Sequence, residues 1–145
     1  SSAASDVYKR QTNAEAWDAP DQNMACQCST SNLLKWYRAR KALPEDAPLD
    51  GRSFFAAANA GEPEALEVLQ RFCHAVAVQI YNLTVLLDVE KVAIGGGISR
   101  QGERLLAPIR AYVAANCFGG HDRTPPVIEC ARLGNEAGII GAAAL

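Results

Sequence analysis

The stretch Lys91–Leu105, KVAIGGGISRQGERL, decides how this chain folds. Its first part, Lys91–Ile94, is short, partly β-branched and bounded by glycine, which is typical of a buried strand in a parallel sheet. Apolar residues then recur at helical spacing from Leu105 to Val113, so a helix should follow the glycines directly. Pro108 should kink or shorten that helix. The stretch therefore predicts a strand–turn–helix unit.

The segments on either side extend this unit. VIEC, at Val127–Cys130, is a second candidate strand, and residues 135–145 are typical of a helix rich in small residues. Upstream, Pro63 suits the first turn of a helix that should continue to Leu87 and measure about 37 Å. One face of this helix should carry apolar residues at alternating steps of three and four: Leu66, Leu69, Cys73, Val76, Ile80, Leu83 and Leu87. Charged residues thin out after Arg71, which predicts burial of its second half on more than one side. The order of helices and strands indicates an α/β fold with parallel pairing.

Two short helices should precede the long one. Ser29, Thr30 or Ser31 can cap the first, and Pro44 should end it. Asp50 can cap the second, which is rich in alanine. Residues 12–31 are polar and irregular and predict a loop, while residues 1–11 lack apolar periodicity and are interpreted as a non-native or disordered leader.

Composition excludes several classes of protein. The net charge of −2 gives no electrostatic reason to expect nucleic acid. Apolar residues make up 49 %, yet no unbroken apolar run approaches the roughly 20 residues that span a bilayer. No secretory signal is recognisable, and the five scattered cysteines do not suggest a disulfide framework. We therefore expect a cytoplasmic protein with neither a membrane nor a nucleic-acid partner.

Two segments resemble a known family. Residues 82–110, NLTVLLDVEKVAIGGGISRQGERLLAPIR, and residues 126–145, PVIECARLGNEAGIIGAAAL, resemble the C-terminal part of ROK proteins, which are bacterial sugar kinases and related repressors. The helix at 64–88 is similar to the long helix of that family, so the resemblance covers about residues 32–145. It implies the C-terminal lobe of an actin/hexokinase-like, ribonuclease H-like ATPase fold, with long helices packed on a small mixed sheet. Residues 12–145 would be this lobe, with the N-terminal lobe absent.

The resemblance also implies a function. ROK kinases use ATP and Mg²⁺ to phosphorylate a hexose or a hexose derivative, and they often form homodimers. Their general-base aspartate lies in the N-terminal lobe, so no catalytic residue is expected in this chain, which should be inactive alone. Which sugar is used, among glucose, N-acetylated hexosamines, fructose and β-glucosides, stays open. Two alternatives also stay open: a fragment of a sugar-responsive ROK repressor, which would bind nucleic acid, and an oligomerisation lobe without catalysis.

The glycine triplet Gly95–Gly97 has two interpretations. By itself it fits a tight turn better than a ligand site, because it matches neither G-x-G-x-x-G nor a Walker A loop. The resemblance reverses this preference and implies that Gly95, Gly96, Gly97, Ile98 and Ser99 lie beside the nucleotide. Gly134 or Asn135 could add an adenosine contact, although close helix packing is the simpler explanation of the later glycines.

A second motif departs from the family. Many ROK proteins carry a zinc loop of the form C-x-C-G-x-x-G-C, followed by a glutamate that contacts the sugar. This chain has Cys26 and Cys28 but no third cysteine at that spacing, and Ala25 stands where the glutamate would be. Structural zinc needs four ligands, so we expect no metal site and interpret the two cysteines as possible remnants of one.

Overall fold

The computed structural model describes residues 24–116 and 124–132. The leader predicted at 1–11 and the small-residue helix predicted at 135–145 lie outside the described residues. The chain divides into two compact units, Ser1–Gln79 and Ile80–Leu145. The elements are α1 (Met24–Gln27), α2 (Thr30–Arg40), α3 (Gly51–Asn59), α4 (Pro63–Leu87), β1 (Lys91–Ile94), a 3₁₀ helix (Gly97–Gln101), α5 (Glu103–Ala115) and β2 (Val127–Cys130). No helix of the described ranges is both long and apolar enough to cross a membrane.

Side-chain caps begin α2 and α3. Ser29 accepts a hydrogen bond from the Asn32 amide at 3.1 Å. Asp50 forms a reciprocal capping box with Ser53. Both caps were among those predicted. The predicted loop at 12–31 is wrong at its C-terminal end, where α1 forms because the Cys28 amide donates to the Met24 carbonyl at 2.9 Å.

Aromatic and small aliphatic side chains form the core of the first unit. Tyr37 and Phe55 each meet the Phe54 ring edge to face, with centroids 5.0 Å apart. Around them lie the other buried apolar side chains of this unit: Leu33, Ala58, Ala65, Val68, Leu69, Phe72, Cys73 and Ala77. The hydroxyl of Tyr37 satisfies its hydrogen-bonding capacity by donating to Glu62 at 2.7 Å.

Helix α4 has the predicted bounds, but the predicted apolar face is wrong in part. Leu66 is 42 % exposed and Leu87 67 % exposed, whereas Ala65 and Phe72 are buried. The buried stripe is thus rotated by about one residue, because alanines pack closely where a count of large apolar residues overlooks them. The expected burial of the second half on more than one side is confirmed over residues 75–84, none of which is exposed, but is wrong at the C-terminal end, where Leu86 is 70 % exposed.

The second unit contains the sheet. Strands β1 and β2 pair in parallel with Lys91 opposite Val127 and Ile94 opposite Cys130, which confirms the predicted strands and their direction. Of the described strands, β1 has β2 as its one neighbour, and its residues are exposed or half-buried, so the expectation of a buried strand is wrong. Helix α5 buries Leu105, Leu106, Ile109 and Val113.

Arg110 ties α5 to β2. Its Nε and Nη2 donate to the Ile128 carbonyl at 2.8 and 2.6 Å, and its Nη1 donates to both carboxylate oxygens of Glu103 at 2.9 Å. Contrary to the expected shortening, α5 continues through Pro108. The proline is exposed, and its missing amide leaves only one turn of the helix without a hydrogen bond.

Acid should destabilise the first unit through Glu62. Hydrogen bonds from Lys41, at 2.8 Å, and from Tyr37 lower the pKa of this carboxyl below its ordinary value of 4.5. Because the pKa of Glu62 is lower in the folded than in the unfolded chain, the ionised carboxyl stabilises the fold at pH values above its ordinary pKa of 4.5. This stabilisation is lost as the pH falls through the folded value. We expect the urea concentration at the unfolding midpoint to decrease when the pH is lowered from about 6 to about 3. The decrease should be smaller in Glu62→Gln.

The matched control for this prediction is Glu45→Gln, which changes an exposed carboxyl in the loop before α3. It should keep the parent's full pH dependence. Urea titrations followed by circular dichroism at several pH values provide the measurement. Superimposable pH profiles of Glu62→Gln and the parent would show that this carboxyl contributes nothing to acid sensitivity.

Candidate functional site

The glycine triplet connects β1 to the 3₁₀ helix. Gly96 has φ +81° and ψ −177°, a backbone conformation that side-chain-bearing residues rarely adopt. Both the amide and the hydroxyl of Ser99 donate to the Gly96 carbonyl, at 3.2 and 2.8 Å. The conformation of the turn therefore explains why position 96 is glycine.

The other two glycines have no such explanation. Neither Gly95 nor Gly97 has a positive φ. A Cβ built on Gly95 would lie 3.8 Å from the Cβ of Ala131, an ordinary contact, and one built on Gly97 would meet nothing within 4 Å. All three glycines are exposed. Packing within the described chain does not require glycine at 95 or 97, and the backbone there is exposed without a side chain to cover it.

This bare backbone lies at the carboxyl edge of the parallel strands. The Ala131 amide donates to the Ile94 carbonyl at 2.8 Å, so the chain leaving β2 runs beside Gly95. In α/β proteins, ligands bind outside the carboxyl ends of the strands. Sequence reasoning missed Ala131, because its position depends on the register of two strands that are separated along the chain.

The predicted site residues fall in one turn but differ in exposure. Ile98 is half-buried, and Ser99 is buried with its hydroxyl bonded to Gly96. Ser99 thus shapes the turn, while Gly95 and Gly97 present its open surface. The helix predicted after the triplet is confirmed as α5, although it does not follow directly, because the 3₁₀ helix and Gly102, with φ +54°, come between them.

Comparison with known proteins identifies the family of this chain. The sequence pattern of the ROK family matches residues 21–145. The chain belongs to the ROK family. A glucokinase of Halalkalibacterium halodurans is 36 % identical over 119 residues, which are 78 % of this chain and 34 % of that protein. A glucokinase of Streptomyces coelicolor is 32 % identical over 106 residues, 72 % of this chain and 33 % of that protein. The chain thus spans about a third of the length of these relatives.

A solved ROK structure shares the fold. The ROK family glucokinase from Streptomyces griseus, in complex with glucose and AMPPNP, superimposes with a TM-score of 0.75 at 27 % identity. The match covers 85 % of this chain and 44 % of that one. It confirms the predicted resemblance and the predicted α/β class, that of a partial lobe of the ROK actin-like fold. The family match also extends the resemblance from residue 32 to residue 21.

The cysteine pair of this ROK chain lies in and beside α1. Burial raises the pKa of the Cys28 thiol to about 11. Within residues 24–116 and 124–132, no three His, Cys, Asp or Glu residues cluster as a metal site requires.

Proposed function

We propose that this chain forms the nucleotide-binding part of an ATP-dependent sugar kinase, with Gly95–Ser99 against the nucleotide. One observation carries the proposal: Gly95 and Gly97 are exposed glycines that the fold itself does not require, at the carboxyl edge of a parallel strand pair. The names of the glucokinase relatives support it, as does the AMPPNP in the Streptomyces griseus structure.

The turn positions the nucleotide and takes no part in proton transfer. Gly96 reverses the chain after β1, and the Ser99 hydroxyl locks that reversal. Gly95 and Gly97 then let the ribose and phosphates of ATP lie against backbone, close to amide hydrogens, without a clash with a Cβ. Phosphoryl transfer depends mainly on such positioning and on charge stabilisation. Mg²⁺, held chiefly by the triphosphate, would supply charge neutralisation.

The reaction needs groups beyond this turn. A hexose hydroxyl oxygen attacks the γ-phosphorus, the bond from that phosphorus to the β–γ bridging oxygen breaks, and ADP leaves. A general base takes the hydroxyl proton. No described residue is assigned that role, and the aspartate implied by the family resemblance is not among the predicted site residues. We therefore propose negligible turnover by this chain alone; homodimer formation stays a prediction, and the identity of the hexose stays open.

Calorimetric titration of ATP and AMPPNP into the 145-residue chain tests this proposal. We expect binding with a Kd between about 0.1 and 5 mM, since one lobe offers part of a pocket. No heat of binding at about 10 mM nucleotide would contradict the proposal and favour an oligomerisation lobe. In a coupled assay with glucose or N-acetylated hexosamines, no turnover is expected, and measurable sugar phosphate would contradict the proposed inactivity.

A further inference from the structure

Three exposed arginines follow the carboxyl ends of the two strands. Arg100 lies in the 3₁₀ helix that the glycine turn opens, and Arg104 lies in the first turn of α5. Arg132 comes directly after Ala131, the residue beside Gly95. Both segments leave the sheet at its carboxyl edge, so the three arginines lie on the segments that continue from the glycine turn and from the end of β2.

The carboxylates of this region are already engaged. The described residues from Lys91 onward carry five cationic side chains and two carboxylates, a net charge of +3 in a chain whose total is −2. Glu129 is ion-paired with Lys91 at 2.9 Å, which lowers the pKa of its carboxyl, and Glu103 is paired with Arg110. Arg132 acts on Glu129 only at longer range. No ion pair of Arg100, Arg104 or Arg132 is found among the described residues.

An anion would neutralise the positive charge that these three arginines carry at this edge. Like charges gathered at one edge repel one another. A cation in the first turn of a helix, as at Arg104, also opposes the helix dipole. A guanidinium group pairs well with phosphate, because its planar fork donates two parallel hydrogen bonds.

We propose that Arg100, Arg104 and Arg132 form a cationic rim that binds the phosphates of the nucleotide lying on Gly95–Gly97. This inference rests on the proposed function and deepens it. The rim recognises phosphate charge rather than adenine, so it favours ATP over adenosine and leaves the contacts of the base to other residues.

The test compares ATP, ADP and adenosine in calorimetric titrations of the full 145-residue chain and its variants. In Arg100→Gln, Arg104→Gln and Arg132→Gln, the affinity for ATP should fall about 3- to 10-fold each, while that for adenosine changes less than about twofold. Arg132→Lys should recover part of the loss. The loss should shrink at high salt, since screening already weakens these pairs in the parent.

Arg52→Gln is the matched control, because Arg52 is an exposed arginine in the first unit, on α3. It should bind all three ligands as the parent does. Parent-like ATP binding by all three rim variants would overturn the inference and leave the proposed function intact. Equal losses for ATP and adenosine would also overturn it, because they would indicate altered folding or contact with the base. A parent that binds no nucleotide would contradict the proposed function, and the rim with it.

Discussion

Replacing Gly97 with valine is expected to weaken ATP binding at least about tenfold and to leave the free energy of unfolding within about 1 kcal/mol of the parent value. A Cβ at position 97 meets no atom of the described chain within 4 Å, and the backbone at Gly97 does not have a positive φ. The fold therefore tolerates the substitution, while the isopropyl group occupies the space in front of the turn. Calorimetry and urea unfolding measure the two effects separately.

Two further glycines serve as controls for Gly97→Val. Gly96→Ala should cost about 1–3 kcal/mol of folding free energy, because φ +81° with ψ −177° is a conformation that residues with a side chain rarely adopt. Gly61 also has a positive φ, +84°, and open space around it, but it lies in the turn before α4, so Gly61→Ala is the control. It should lose similar stability without changing ATP binding per folded molecule. Equal losses of ATP binding and of stability in Gly97→Val would indicate that the triplet is only a structural turn.

The second large effect is expected at Ile109, which is fully buried on α5. Ile109→Ala should lower the free energy of unfolding by about 2–5 kcal/mol, because it removes buried methyl and methylene groups and leaves a cavity. Urea unfolding followed by circular dichroism measures the loss. Helix α5 packs on β2, so the same substitution should also weaken the hydrogen bonds from Arg110 to the Ile128 carbonyl.

Leu87→Ala is the control for Ile109→Ala. Leu87 belongs to the same unit but is 67 % exposed, so its truncation should change the free energy of unfolding by less than about 0.5 kcal/mol. A loss of less than about 1 kcal/mol in Ile109→Ala would show that α5 is not packed as described.

The sequence was most informative where signals were local. Pro63 and a sustained helical period predicted α4 with its observed bounds, and Asp50 predicted the start of α3. The face that α4 buries was harder to predict, because Ala65 and Ala77 fill close contacts that a count of large apolar side chains does not weigh. The 3₁₀ helix was missed because five residues between glycines are too short for a periodic pattern.

The candidate site was likewise predictable from the sequence only in part. The triplet marked its place along the chain, since three consecutive glycines after an apolar run stand out in any sequence. Sequence alone could not show that Gly96 serves the turn while Gly95 and Gly97 leave surface open, because that difference depends on φ values. Nor could it bring Arg132 close to the turn, because that neighbourhood depends on the register of β1 and β2.

Amide chemical-shift mapping of the 145-residue chain with AMPPNP tests the central claim most directly. We expect saturating ligand to shift the amides of Gly95, Gly96 and Gly97 most, with smaller shifts at Ile98 and Ser99. Amides of α3, in the other unit, should not move. Shifts confined to residues away from the turn, or none at about 10 mM ligand, would contradict a nucleotide site at this edge of the sheet.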